Sequence, residues 1–337
     1  MTLHGPFGLS VRDQALEAHI RAGLTGVEEG LLEATKSEVP FITEAAQHLV
    51  RAGGKRFRPL LVMLAARFGA EPQSRDVISA AVVVELTHLA TLYHDDVMDE
   101  AEVRRGVPSA NAHWDNSVAV LTGDFLFARA SHLLADLGPE AVRVQAKAFE
   151  RLVTGQILET AGPAEGEAPV DHYLQVLAGK TGSLVAVACH LGARMAGADE
   201  EATAVLTEYG ERIGTAFQLA DDVLDIASDS EDSGKTPGTD LREGVPTLPV
   251  LHLRAQAAAG GSPEDQALVR LLESDLRDDA RHAEALAGLR AHPALALARQ
   301  DTARCAHSAR ELLTRLPEGP ARTALHDLCD AVVHRVG

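Results

Sequence analysis

The chain has 337 residues, 46% of them apolar, and a formal net charge of −18 at pH 7. The apolar content excludes wholesale disorder. The charge excludes a nucleic-acid backbone or an anionic membrane surface as the main partner. An anionic substrate is still allowed, because a bound divalent cation reverses the local sign.

The cysteines Cys189, Cys305 and Cys329 are odd in number and widely spaced, which suits a reducing cytosol and neither a disulfide framework nor a zinc site. "MTLHGPFGLS" has no basic start leading into an apolar stretch, and no apolar run reaches about 20 residues. A cytoplasmic protein without a signal peptide or membrane span is expected. Among the basic residues only Lys36, Lys55, Lys147, Lys180 and Lys235 are lysine. Arginine dominates elsewhere, so each retained ammonium marks a place where a guanidinium would not serve as well.

In chain order the first predicted helix is "PFITEAAQHLV", followed by "RPLLVMLAARFG", "SRDVISAAVVVELTHLATLYHDDVMDE", "SVAVLTGDFLFARASHLLADLG" and "PEAVRVQAKAFERLVTGQILETAG". "VDHYLQVLAGKTGSLVAVACHLGARMAG" and "EEATAVLTEYGERIGTAFQLADDVLDIA" continue the pattern, and weaker helices fill 260–337. The breaks are short and Gly/Pro-rich, for example "RRGVPSANAHWD" and "SDSEDSGKTPGTDLREGVPT". No alternating strand stands out, and no break reads as a domain linker. The expectation is an all-α helical bundle forming one domain over 1–337.

"LYHDDVMDE" places Asp95, Asp96 and Asp99 at the end of an apolar helix, with Asp95 and Asp99 on one face about one turn apart. The pattern recurs in "FQLADDVLD" with Asp221, Asp222 and Asp225. One such motif alone reads as a solvated helix end. Two, each following an apolar helix, read as hard oxygen ligands for Mg²⁺, whose shell substrate phosphate oxygens complete. A diphosphate held by metal is the natural occupant.

The basic residues fall around these motifs. "GGKRFRP" clusters Lys55, Arg56 and Arg58 after a glycine pair, where a second diphosphate could be held without metal. Arg104 and Arg105 follow the first acidic motif. Lys180 and Thr181 interrupt a small-residue helix, and Lys235 sits in a glycine-rich loop after the second motif. Taken singly, each cluster would be an ordinary surface patch.

In order, "GGKRFRPLL", "LYHDDVMDEAEVRRG", "GDFL", "GKTGSL", "FQLADDVLD" and "GKTPGTDLREGVPTLP" closely resemble the trans-isoprenyl diphosphate synthases, the polyprenyl synthetase family. The resemblance is firm from about 45 to 255 and thin beyond. It implies an isoprenoid-synthase bundle around a central cavity, usually in a homodimer, and three Mg²⁺ ions gripping an allylic diphosphate. By position Asp95, Asp99 and Asp221 are the firmest ligands, then Asp225 and Asp222, with Asp96 in the outer shell. Arg104, Lys180 and Lys235 match residues that neutralise the leaving diphosphate. Lys55, Arg58, His88 and Arg105 match the metal-free pocket for isopentenyl diphosphate, with Arg56 an additional member. Thr181 and Gln218 match positions whose oxygens face the developing carbocation.

Product length follows from the wall before the first motif. An isoprene unit is roughly one helical turn long, about 5.4 Å. Ala90 and Thr91 are small where short-chain relatives commonly carry an aromatic, and Thr87 and Val84 follow one turn back. The expected product is therefore long, C30–C50, with farnesyl or geranylgeranyl diphosphate as primer and Phe149 and Leu152 as candidate floor residues. Alternatives are a C20 synthase, a terpene cyclase or the regulatory subunit of a heteromeric synthase. Low aromatic content and the "GGKRFRP" site argue against a cyclase, and two intact acidic motifs argue against a regulatory subunit.

Overall fold

The computed structural model describes residues 11–228 and 237–336; Lys235 lies outside the described residues. In chain order the helices are α1 (Gln14–Ala34), α2 (Pro40–Arg51), α3 (Phe57–Ala66), α4 (Arg75–Met98), α5 (Ala110–His113), α6 (Asn116–Leu137), α7 (Pro139–Ala161) and α8 (Pro169–Leu177). A π-helical turn at Ala178–Gly182 joins α8 to α9 (Ser183–Met195). Then come α10 (Glu200–Ala227), α11 (Thr239–Glu243), α12 (Leu248–Ala258), α13 (Pro263–Leu272), α14 (Asp279–Ala291), α15 (Pro293–Leu312) and α16 (Pro320–Val336). The all-α expectation holds. Internal contacts define two compact units: one takes in the chain up to Glu150 with Ser183–Gly210 and Leu312–Asp327, the other Arg151–Gly182, Glu211–Glu311 and Leu328–Gly337.

The first unit is built on α4. Ser74 caps its start by accepting the Val77 N–H, and Asp76 complements the positive end of the helix dipole. Val82, Val83 and Val84 are consecutive and all buried. A helix without a polar side must be covered all round, and α1, α3, α6 and α9 do this. The sequence reading missed α1, because Gly23, Gly26 and Gly30 dilute its apolar period. Those glycines are its contact surface: a Cβ at Gly23 would meet Met63 Sδ at 2.5 Å, and one at Gly30 would meet Val82 Cγ2 at 2.7 Å.

Between α4 and α5 lies a two-stranded antiparallel hairpin, β1 (Val103–Arg104) and β2 (Val107–Pro108). Its central residues Arg105 and Gly106 both have positive φ, 54° and 77°. That is the type I′ requirement of a two-residue hairpin. The sequence reading found no strand here, since two residues per strand are too few to show alternation.

In the second unit α7 meets the π-turn backbone to backbone. A Cβ on Gly155 would stand 2.7 Å from the Lys180 amide nitrogen, and one on Gly179 would stand 2.9 Å from the Arg151 carbonyl. Helix α12 packs on α8 and α13, and α14 packs on α11 and α13.

Contrary to the reading of apolar runs, three described helical stretches are long and apolar enough to cross a bilayer by length and composition: α4, α6, and α8 to α9 taken as one. In α4 and α8–α9 the apolar window is 67% and 78% buried within the protein, so their hydropathy is spent on the interior; in α6 only 33% is buried.

Helix α3 lies against α9 at Gly192, where a Cβ would sit 2.4 Å from the Val62 carbonyl oxygen. Gly192→Ala should therefore cost about 1–3 kcal/mol of overpacking, measured by urea unfolding. An unchanged midpoint would show that the two helices can separate freely.

Candidate active site

Both acidic motifs close a helix at its C-terminal end. Asp99 is the C-cap of α4, its N–H donating to the Asp95 carbonyl at 2.8 Å, and the last turn of α4 carries no basic residue. Asp221, Asp222 and Asp225 fall near the end of α10, which likewise has no basic residue in its last turn. Carboxylates at the negative end of the helix dipole are destabilised unless a cation joins them. The donor set is all hard oxygen, which fits Mg²⁺. Among the described residues no group of three or more His, Cys, Asp or Glu side chains is arranged as a metal centre. The acids come a turn apart, an arrangement that leaves the remaining Mg²⁺ positions to water and phosphate oxygens.

Within each motif the middle acid differs from its neighbours. Asp96 is fully buried; its Oδ1 accepts from Arg104 Nε at 2.6 Å, while its Oδ2 has no protein partner. Burial pushes its pKa up, opposed by the hydrogen bond and charge of Arg104. Asp222 is buried too, accepting from Gln218 Nε2 at 3.0 Å and from the Tyr173 hydroxyl. Its pKa rises to about 6, through burial first. Asp225 differs again: its two oxygens accept the Thr239 and Asp240 N–H groups, each at 3.2 Å. Asp221 is 2.9 Å from the Arg335 guanidinium of α16, which also lies 5.2 Å above the Phe217 ring.

The residues expected to form the metal-free pocket come together in the first unit. Glu85, at the middle of α4 and 2% exposed, is the anchor: Arg56 Nη1 donates to it at 2.8 Å, and Arg105 Nη2 lies 3.7 Å away. Arg105 also donates from Nη1 to the carbonyls of Leu49 (3.0 Å) and Gly53. Gly54 makes room for it, since a Cβ there, already strained at φ 154°, would touch the guanidinium carbon at 2.9 Å. Arg58 is desolvated enough that its pKa falls to about 10, with Glu85 opposing the shift and Arg105 adding to it. It stays charged, and its buried Nε has no protein partner. Burial and then Arg58, Arg105, Arg104 and Arg56 push the pKa of His88 well down, so its imidazole is neutral. A buried cationic cluster with an unused donor is completed by an anion.

Arg56, an expected additional member of the diphosphate pocket, has its five N–H groups engaged by Glu28 (2.5 and 3.0 Å), Glu85 (2.8 Å) and the carbonyls of Gly53 (3.4 Å) and Val50 (3.2 Å). It shapes the "GGKRFRP" loop from a left-handed conformation, φ 48°, as N-cap of α3. Arg104 is placed between the two expectations: Nε is bonded to Asp96, leaving the fork end for another acceptor. Lys55 is exposed at the loop surface.

In the second unit the π-turn presents Lys180 and Thr181, and π-bulges often mark functional positions in helices. Lys180 Nζ pairs with Glu159 at 2.7 Å. The Thr181 hydroxyl donates to Gln218 Oε1 at 3.3 Å, and the Gln218 amide passes the chain on to Asp222. Sequence reasoning brought Thr181 and Gln218 together but missed Tyr173, Glu85, Glu28, Glu159 and Arg335. Tyrosine is a weak signal that was available: the chain has only three, and each hydroxyl donates a hydrogen bond.

The expected chain-length wall resolves into distinct environments. Thr91, one turn before Asp95, is partly exposed, whereas Ala90 is fully buried beside Gly123 of α6. Thr87 is buried and accepts from Gln145 Nε2 at 2.8 Å. Phe149 packs against Phe127, their ring centroids 4.5 Å apart.

Known proteins match this chain over nearly its whole length. The polyprenyl synthetase family model matches residues 39–289. The chain belongs to the polyprenyl synthetase family. It is 48% identical over 330 residues to a nonaprenyl diphosphate synthase of Mycobacterium tuberculosis, covering 98% of this chain and 97% of that one. Among solved structures, a geranylgeranyl pyrophosphate synthase from Corynebacterium glutamicum, complexed with calcium and isoprenyl diphosphate, superposes with a TM-score of 0.87 at 45% identity, covering 97% of this chain and 99% of that one. A decaprenyl diphosphate synthase from Rhodobacter capsulatus gives 0.85 at 36% identity, covering 96% and 99%. As a member of this family the chain is a prenyl-transferring enzyme.

Two neighbouring arginines should behave oppositely in urea unfolding. Arg56→Gln strands Glu85 and should cost about 3–5 kcal/mol, as breaking a buried pair does. Arg58→Gln removes a cation without a hydrogen-bonded partner at Nε and should leave stability unchanged or raised. Equal losses for the two would contradict the division between a structural and a ligand-binding arginine.

Proposed function

We propose that the chain condenses isopentenyl diphosphate head-to-tail with farnesyl or geranylgeranyl diphosphate, in a Mg²⁺-dependent reaction, to give an all-trans polyprenyl diphosphate of C30–C50. The observation that carries the reading is the buried cationic cluster around Glu85, with Arg58 Nε unpartnered and His88 held neutral.

Asp95, Asp99, Asp221 and Asp225 are the residues that would hold Mg²⁺, three ions in all. Bound Mg²⁺ supplies positive charge against the allylic diphosphate as it departs. Asp96 and Asp222 act from behind, keeping Arg104 and Gln218 in place. Lys180, Arg104 and Lys235 (the last outside the described residues) neutralise the leaving group, Lys180 exchanging Glu159 for phosphate oxygen. The hydroxyl of Thr181 and the carbonyl of Gln218 lower the energy of the allylic carbocation. Lys55, Arg58, His88 and Arg105 hold the isopentenyl diphosphate so that its double bond meets that carbon. The proton lost after bond formation passes to the released diphosphate, so no protein base is needed.

The long product rests on Thr91. It is small, partly exposed and one turn from Asp95, so the tail has no bulky stop at its first turn. Thr87 with Gln145, and Phe149 with Phe127, are candidates for the wall beyond. Purified protein given farnesyl diphosphate, labelled isopentenyl diphosphate and Mg²⁺ should yield, by mass spectrometry, a ladder extending beyond five isoprene units. Thr91→Phe should shorten it to about three or four units, the length of the first helical turns. Wild-type product ending at four units would favour the geranylgeranyl-length reading, and an unaltered ladder in Thr91→Phe would refute the ruler.

The working form is a cytoplasmic homodimer. Its three cysteines are all free thiols, as in a reducing compartment. Helix α6 leaves Leu121 66% exposed and Val120 39% exposed in a helix apolar enough to be buried. A second copy laid on that face would cover them. Light scattering should give a dimer for the wild type and a monomer for Leu121→Glu.

A further inference from the structure

The second acidic motif depends on how Asp225 is held. Each of its carboxylate oxygens accepts one backbone N–H, from Thr239 and Asp240, at the first turn of α11. Two such bonds fix the plane of the carboxylate. The precision of Asp225 is therefore set by whatever fixes residues 238–240.

Gly238 does this through a single peptide group on each side. Its N–H donates to the Asp225 backbone carbonyl at 2.7 Å. Its carbonyl accepts from Nε2 of His282, on α14, at 2.8 Å. A carbonyl only accepts, so His282 carries its proton on Nε2. Gly238 has φ 72°, and a Cβ there would come within 2.7 Å of His282 Nε2, so only glycine lets the two approach this closely. The second tie between α11 and α14, Arg242 to Asp279 at 2.8 Å, has a 91% exposed carboxylate and contributes little. His282 is 5% exposed. It is a buried tether between the two helices.

We propose that His282 is a positioning residue for the second metal site, acting through Gly238 and α11 to orient the Asp225 carboxylate. The inference rests on the reading of Asp225 as a Mg²⁺ ligand. Groups that orient a ligand from behind typically change metal affinity 10–100-fold when lost. His282 is far from the acidic motif in sequence, and its own segment, "DARHAEALAGLRA", carries no motif.

The test is Mn²⁺ binding, read by loss of the free-ion EPR signal, in the full chain with an unreactive farnesyl thiolodiphosphate present. His282→Leu should weaken binding about 10–100-fold and raise the Mg²⁺ requirement for elongation in step, with KM for isopentenyl diphosphate unchanged. His282→Gln, whose amide nitrogen can take the place of Nε2, should restore most of the affinity, and His282→Asn, one methylene shorter, should not. If His282→Leu does not fold, the contrast between Gln and Asn decides. Asp225→Asn serves as the control. Wild-type Mn²⁺ affinity in the His282 variants, with weakened binding in Asp225→Asn, would overturn the inference alone. Unchanged affinity in Asp225→Asn would overturn the ligand reading and the inference with it.

Discussion

One buried carboxylate organises the first unit. Glu85 sits near the middle of a helix covered on every side, where an unpaired charge would be intolerable. Arg56 and Arg105 come to it from the "GGKRFRP" loop and from the tip of the hairpin. Each brings strained backbone: Arg56 at φ 48° and Arg105 at φ 54°. Such conformations persist only where the surroundings over-determine them: for Arg56 the carboxylates of Glu28 and Glu85, for Arg105 the hairpin turn and the carbonyls of Leu49 and Gly53. The cluster gathers more positive than negative charge, and the excess falls on Arg58. The stability that Glu85 supplies is thus inseparable from the anion affinity the site gains.

Helix α4 carries both kinds of chemistry because it is continuous. Glu85 and His88 belong to the cationic cluster, Asp95 and Asp99 to the first acidic motif, and Thr91 lies between on the face of Asp95. At 1.5 Å per residue the span from Glu85 to Asp95 is about 15 Å, enough to keep opposite charges from collapsing on one another. The apolar wrapping of α4 by α1, α3, α6 and α9 packs that span on several sides. The residues proposed for metal-dependent and metal-independent binding therefore lie along one rod, and changes to its packing should act on both.

What the sequence made legible was whatever is periodic or dense in charge. The long helices, the two acidic motifs and the loop lysines and arginines are of that kind, and the all-helical fold followed. Helix α1 escaped because its contacts are made by the absence of side chains at Gly23, Gly26 and Gly30. The hairpin escaped because its signal is the Arg105–Gly106 turn, not its strands. The internal partners of Arg56 were hidden for a different reason. Within one short loop, sequence cannot say which arginine points inward to Glu85 and which is left with an unused donor. That distinction belongs to partners far along the chain, Glu28 and Glu85, as the role of His282 does.

The two diphosphates meet different physics. In the cationic pocket the ligand-binding charges already repel one another in the folded protein and are held by Glu85, backbone carbonyls and the glycine pair. Their cost is met on folding, so an anion finds the site formed. The acidic motifs are the reverse case. Asp221 is paired with Arg335, Lys180 with Glu159 and Asp96 with Arg104, so each charged group there has an internal partner to give up or share. On the proposed reading, these are the pairs that bound metal and diphosphate would replace with stronger, charge-assisted ones. On the same reading, isopentenyl diphosphate would bind to structure made by folding, whereas the allylic substrate would bind where its metal completes the site. That ordering favours ionisation only when the carboxylates, the metal and the leaving group are all in place.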